Sequence, residues 1–135
     1  MTPPSFLSAS ALVALGGGLG AWLRFATSAL WSRAIGPVAA SAFPWATLSA
    51  NVIGSLLMGL LAGWLARHGS GGEQWRLLLG VGVLGGYTTF SAFSLEFALF
   101  VERGAIGLAA GYVAISLVAG FAALFAGLFI MRAVA

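Results

Sequence analysis

Four apolar stretches occupy almost the whole chain, at about residues 6–31, 45–66, 75–101 and 105–132. Each approaches the roughly 20 residues that a helix needs to cross a bilayer. A soluble core built from 135 residues cannot absorb the apolar surface of a chain that is 61% hydrophobic and 7% charged. The expected fold is therefore an all-α membrane protein of one domain, 1–135, with four transmembrane helices and no soluble domain. The runs are continuous rather than alternating, which argues against membrane strands.

Charge is sparse and evenly spread. The six cationic residues are all Arg, the three acidic residues all Glu, and Cys is absent. Without thiols there is no disulfide framework or Cys-held metal. With four spans, Arg67, Arg76 and Arg132 fall on one side of the membrane and Arg33 and Arg103 on the other. Arg24 lies within span 1 towards the second side. This leaves almost no positive-inside bias, so insertion both ways, as an antiparallel dual-topology homodimer, is one reading; orientation set by partners is the other. Arg residues flanking spans are expected at lipid headgroups, so the net charge of +3 does not indicate a nucleic-acid partner. The first basic residue is Arg24, so no positive segment precedes span 1, and span 1 is expected to be retained.

Span 1 carries Gly16 and Gly20, a small-xxx-small pair suited to close helix contact. Arg24 follows one turn later, either snorkelling or contacting an anion. Residues 32–44 read as a short connection, and Pro44-Trp45 as a helix start with an interfacial aromatic. In span 2, Thr47, Asn51, Ser55, Gly59 and Gly63 are four apart and share a face. Asn51 is the costliest of these, and serves either as interhelical glue or on a wet face. The loop after span 2 is polar and holds His68, expected to be solvated and with no second ligand for a metal beside it.

Residues 85–96, GGYTTFSAFSLE, are the anomaly. A glycine pair meets β-branched residues, so span 3 is expected to break near its middle. Such a break needs its released backbone groups buried in protein or facing a cavity. The rest of the span sets Phe90, Phe93, Phe97 and Phe100 at helical spacing, which by itself reads as packing. Ser91 and Ser94 add hydroxyls and Glu96 an intramembrane carboxylate. Glu96 is a functional candidate by default, or else half of a pair with Arg24 or Arg103. In span 4, Tyr112 and Ser116 share a face and Phe121, Phe125 and Phe129 share another, read as lipid-facing. Tyr112 either lines a pore or bonds a neighbouring helix.

Thr47, Asn51, Ser91, Tyr112 and Ser116 all offer hydrogen-bond donors, and Phe ring edges carry partial positive charge. No ring of carboxylates suits a cation pore. Weak donors and ring edges suit a small anion that is desolvated and then released. No enzyme is expected: Ser91 has no base, and the glycines of span 1 precede no βαβ unit.

Three motifs together resemble the small bacterial fluoride channels, CrcB or Fluc: GGGLGAWLR at 16–24, PWATLSANVIGS at 44–55 and GGYTTFSAFSLE at 85–96. The last is the most specific, and the likeness covers nearly the whole chain. The resemblance implies an antiparallel dual-topology homodimer in the bacterial inner membrane, with two pores for passive F⁻ efflux that exclude Cl⁻ and relieve fluoride toxicity. It places Asn51 at the pore asparagine and Phe90 and Phe93 at the rings facing the ion. Gly85 and Thr88 fall where backbone carbonyls hold a structural Na⁺. Thr47, Thr89, Ser91 and Glu96 fit a polar lining, Tyr112 and Ser116 fit it more loosely, and Arg24 stands at the pore entrance. Tyr87 and Ala92 depart from the residues common at their positions. The competing reading is a dual-topology small multidrug exporter, which needs a carboxylate in span 1; none is there.

Overall fold

The computed structural model describes residues 4–68 and 72–134, apart from the side chain of His68. The expectation that His68 is solvated therefore lies outside the described residues. Four helical segments are long and apolar enough to cross a membrane: Phe6–Ile35, Trp45–Arg67, Glu73–Glu102 and Ile106–Ala133. No strand occurs among the described residues.

Helix α1 (Phe6–Ile35) starts where Ser5 Oγ accepts the Ser8 amide at 3.3 Å, which satisfies one of the open N-terminal donors. It ends at Gly36, whose φ of +82° suits a residue without Cβ. Pro37 then opens the short helix α2 (Pro37–Ala42), with its fixed φ preset for a first helical position. Most of the stretch read from sequence as a connection is thus helical, and only Gly36 and residues 43–44 lie outside helices. Helix α3 (Trp45–His68) is span 2.

Span 3 comprises α4 (Glu73–Trp75), a π-helical stretch Arg76–Leu84, the turn α5 (Gly85–Tyr87) and α6 (Ser91–Glu102). A transmembrane span is expected to be α-helical before its break. Instead the Gly85 amide is shared between the carbonyls of Gly80 and Gly82. A Cβ at Gly80 would meet Leu61 of span 2, and one at Gly82 would meet Gly16 and Val13 of span 1. After α5, Thr88 is extended (φ −79°, ψ 159°). Its amide still reaches Leu84 O at 3.0 Å, and helix resumes at Ser91. Span 3 closes on Gly104 (φ +71°), with the Gly104 amide on Val101 O and the Ala105 amide on Phe100 O, both 2.9 Å. These two bonds satisfy the last carbonyls of α6 in a Schellman pattern. Span 4 is α7 (Ile106–Ala133).

Glycines bring the spans together in pairs. A Cβ at Gly16 would meet Leu78 and Gly82 of span 3, and one at Gly20 would meet Val83 and Tyr87. Gly59 lies against Leu124 of α7, Gly63 against Met131, and Gly127 against Leu56 and Leu60. In both pairs the residue numbers rise together, so spans 1 and 3 run parallel, as do spans 2 and 4. Backbone-to-backbone packing of this kind is how helices associate where lipid supplies no hydrophobic drive. The buried core is correspondingly small, with Leu48, Phe100, Ala109 and Tyr112 as its cluster. Phe121, Phe125 and Phe129 are all exposed, as a lipid-facing row would be. The chain is a multi-pass membrane protein.

Candidate functional site

The polar half of the span 2 face and the segment after the glycine pair meet in mid-bundle. Asn51 Oδ1 accepts the Thr89 amide at 2.8 Å, and Asn51 Nδ2 donates to the Thr89 carbonyl at 3.0 Å. One side chain thus replaces, at one residue, the ladder partners that a continuous helix would supply. From the other side, Arg24 Nη1 of α1 donates to the Thr88 carbonyl at 3.3 Å. Thr88 Oγ1 donates back to Leu84 O at 2.8 Å, and Thr89 Oγ1 accepts the Ala92 amide at 3.2 Å to start α6. Tyr87, buried, shares a hydroxyl contact with Thr27 at 3.1 Å.

Beside this segment lies a cavity of about 460 Å³ whose wall includes Asn51, Gly85, Thr88, Thr89, Phe90, Phe93 and Ser116. Ser116 Oγ is buried without a hydrogen-bond partner among the described residues, which is costly unless something fills the role. Asn51 has a second N–H beyond the one spent on Thr89. The Phe90 ring is 80% exposed at the rim, 5.9 Å from that of Phe93. Polar donors and two phenylalanines therefore share one groove with the apolar Met58, Leu117 and Leu124.

A second arrangement centres on Glu96. Thr47 Oγ1 donates to Oε1 at 2.6 Å and Tyr112 OH to Oε2 at 2.7 Å. The suggested ion pair of Glu96 with Arg24 or Arg103 does not form: among the described residues the one salt bridge joins Glu73 and Arg76. Hydroxyls occupy both oxygens instead. Arg24 and Glu96 do line one cavity of about 370 Å³, together with Thr47. Arg103 and Glu96 line another of about 150 Å³.

Tyr112 links the two arrangements. Fully buried, it bonds Glu96 through its hydroxyl and packs its ring 5.1 Å from Phe93. Phe43 meets it edge-on at 5.5 Å and 82°. The structure therefore sorts the residues singled out in the sequence into three groups. Asn51, Phe90, Phe93, Thr89, Thr88, Gly85 and Ser116 meet at the groove. Arg24, Thr47 and Glu96 meet at the second cavity, with Tyr112 between. Ser91 lies on neither wall; its exposed hydroxyl faces Thr89 Oγ1 at 3.3 Å. The lone O–H groups of Thr47 and Tyr112 are both spent on Glu96, so neither is left to donate elsewhere. Sequence reasoning missed the Arg24 contact with Thr88 and the Thr27–Tyr87 pair. Arg24, expected to snorkel or to contact an anion, donates instead to a backbone carbonyl.

Four apolar crossings, with hydroxyls, an amide and two phenylalanines gathered at one groove, define the class as a multi-pass membrane protein. The chain belongs to the CrcB-like family, whose model, "CrcB-like protein, Camphor Resistance (CrcB)", matches residues 11–128. A relative from Novosphingobium aromaticivorans, "Fluoride-specific ion channel FluC", is 64% identical over 129 residues, covering 96% of this chain and all of the relative. "Fluoride-specific ion channel FluC 2" of Nitrobacter hamburgensis is 54% identical over 121 residues, 90% of this chain and 94% of the relative. The Erythrobacter litoralis protein of the first name is 51% identical over 131 residues, 96% of this chain and 95% of the relative.

Proposed function

We propose that the protein is a fluoride channel that lets F⁻ leave the bacterial cytoplasm passively across the inner membrane. The names of its relatives support the ion, and one observation carries the site. Ser116, whose hydroxyl is buried and without a partner among the described residues, lines the same groove as Asn51, Phe90 and Phe93. Fluoride accepts strong hydrogen bonds, so its hydration must be replaced for entry but not so well that it stays. Ser116 O–H and the second Asn51 N–H supply two donors, and the rings of Phe90 and Phe93 supply weakly positive edges. Away from the groove, Thr47 and Tyr112 hold the Glu96 side chain in place, one hydroxyl on each oxygen.

The working form in this reading is an antiparallel dual-topology homodimer. The near balance of Arg on the two sides supports it, as does Phe90, whose ring stands exposed at the groove rim. A second copy would narrow the groove and cover that ring. Span 3 then acts as a broken helix that releases carbonyls at mid-membrane. In a continuous helix the Thr89 amide would reach the Gly85 carbonyl; here it is turned to Asn51 Oδ1. The Thr88 carbonyl holds one donor, Arg24, and keeps a second lone pair. Two such oxygens suit a hard cation, and two copies would offer four. A structural Na⁺ would be held there by Gly85 and Thr88, and would supply positive charge at the centre of the dimer.

Vesicles loaded with fluoride test the proposal. Reconstituted protein is expected to release F⁻; vesicles that keep it would count against a fluoride channel. Single cysteines placed beside Arg67, labelled from outside, test the topology. Partial labelling of an otherwise intact population is expected, and all-or-none labelling contradicts insertion both ways.

A further inference from the structure

We propose that Arg24 is a positioning residue for the segment after the glycine pair, acting through the Thr88 carbonyl. Its guanidinium lies within span 1, half-buried, and donates to Thr88 O at 3.3 Å. No carboxylate pairs with it among the described residues. A cation at that depth is costly unless its donors are met, and a carbonyl released at an extended residue is a matching acceptor.

Arg24 does not act alone. Asn51 grips the next residue, Thr89, by both backbone groups. Arg24 comes from α1 and Asn51 from α3, so the two consecutive residues are held by different spans. Thr27 of α1 adds a third hold one residue earlier, at the Tyr87 hydroxyl. The phenylalanine at 90 begins immediately beyond this grip, and its carbonyl accepts the Ser94 amide at 2.9 Å. Orientation of Phe90 and Phe93 therefore depends on where Thr88 and Thr89 are fixed. Arg24 sets the place of both rings through the backbone, by its bond to Thr88 O. The consequence for conduction rests on the channel reading above, whereas the grip itself does not.

Three measurements test the inference on the full chain in lipid. In the unmodified protein, solid-state NMR should show a dipolar contact between the Arg24 guanidinium nitrogens and the Thr88 carbonyl carbon. Its absence would overturn the proposal without any variant having to fold. Arg24→Gln should speed amide hydrogen exchange across 88–94 by about tenfold, as expected for loss of a hydrogen bond to a charged donor. Exchange across 106–133 should stay unchanged. Fluoride flux should fall with it, and Arg24→Lys, which keeps a cationic donor, should recover both. Lower flux with exchange at 88–94 unchanged would mean that Arg24 only attracts anions, and would overturn the positioning role. If the unmodified protein passes no fluoride at all, the channel reading fails while the NMR contact and the exchange result still judge the grip.

Discussion

Asn51 holds both backbone groups of Thr89 with one side-chain amide, accepting its N–H at 2.8 Å and donating to its carbonyl at 3.0 Å. The costly polar residue of span 2 is thereby explained as an internal replacement for helix hydrogen bonds. Asn51→Leu leaves both groups of Thr89 unmet and should destabilise the fold by about 1–3 kcal/mol, read from thermal unfolding in detergent. Asn51→Asp keeps the acceptor but loses the donor and places an anion in the groove. Its fluoride flux should fall far more than its stability.

Glu96 receives one hydroxyl on each oxygen, from Thr47 and from Tyr112. Tyr112→Phe keeps the packing and removes one of these donors. A lowered melting temperature is expected, equivalent to about 1–2 kcal/mol. Glu96→Gln together with Tyr112→Phe should cost less than the sum of the two single changes, since the pair acts as a unit. Additive losses would show that the bond contributes nothing.

Steric predictions separate glycines that look alike in sequence. A side chain at Gly127 would push into the backbone at Leu56 and Leu60, whereas one at Gly18 would meet nothing within 4 Å. Gly127→Val should abolish recovery of folded protein, and Gly18→Ala should leave it unchanged by size-exclusion chromatography.

Phe90 is 80% exposed, so its ring contributes little to the fold of one chain. Phe90→Ile is expected to leave the unfolding free energy within about 0.5 kcal/mol of the parent, as for an exposed substitution, while strongly cutting fluoride flux. Normal flux would remove this ring from the conduction path.

Much of this arrangement is legible in the sequence because a membrane makes polar residues costly. Arg24, Asn51 and Glu96 stand out in apolar spans for that reason, and each has a polar partner in the structure. The glycines that join spans 1 and 3 are equally visible, since small residues at four-residue spacing have few other uses in lipid. What stays hidden is pairing. Nothing in the sequence says that Arg24 takes a backbone carbonyl rather than the Glu96 carboxylate, because both choices satisfy a guanidinium. The winding of Arg76–Leu84 was equally out of reach, since its i→i+5 bonds join backbone groups that every residue carries. Thr47 and Tyr112 read as spare donors because their acceptor, Glu96, lies 49 and 16 residues away in the chain.

The most direct measurement is paired efflux from vesicles loaded with equal fluoride and chloride, each followed by its own electrode. Vesicles carrying the protein should empty of F⁻ and keep their Cl⁻. Equal leakage of the two anions, or retention of both, would contradict a fluoride-selective channel.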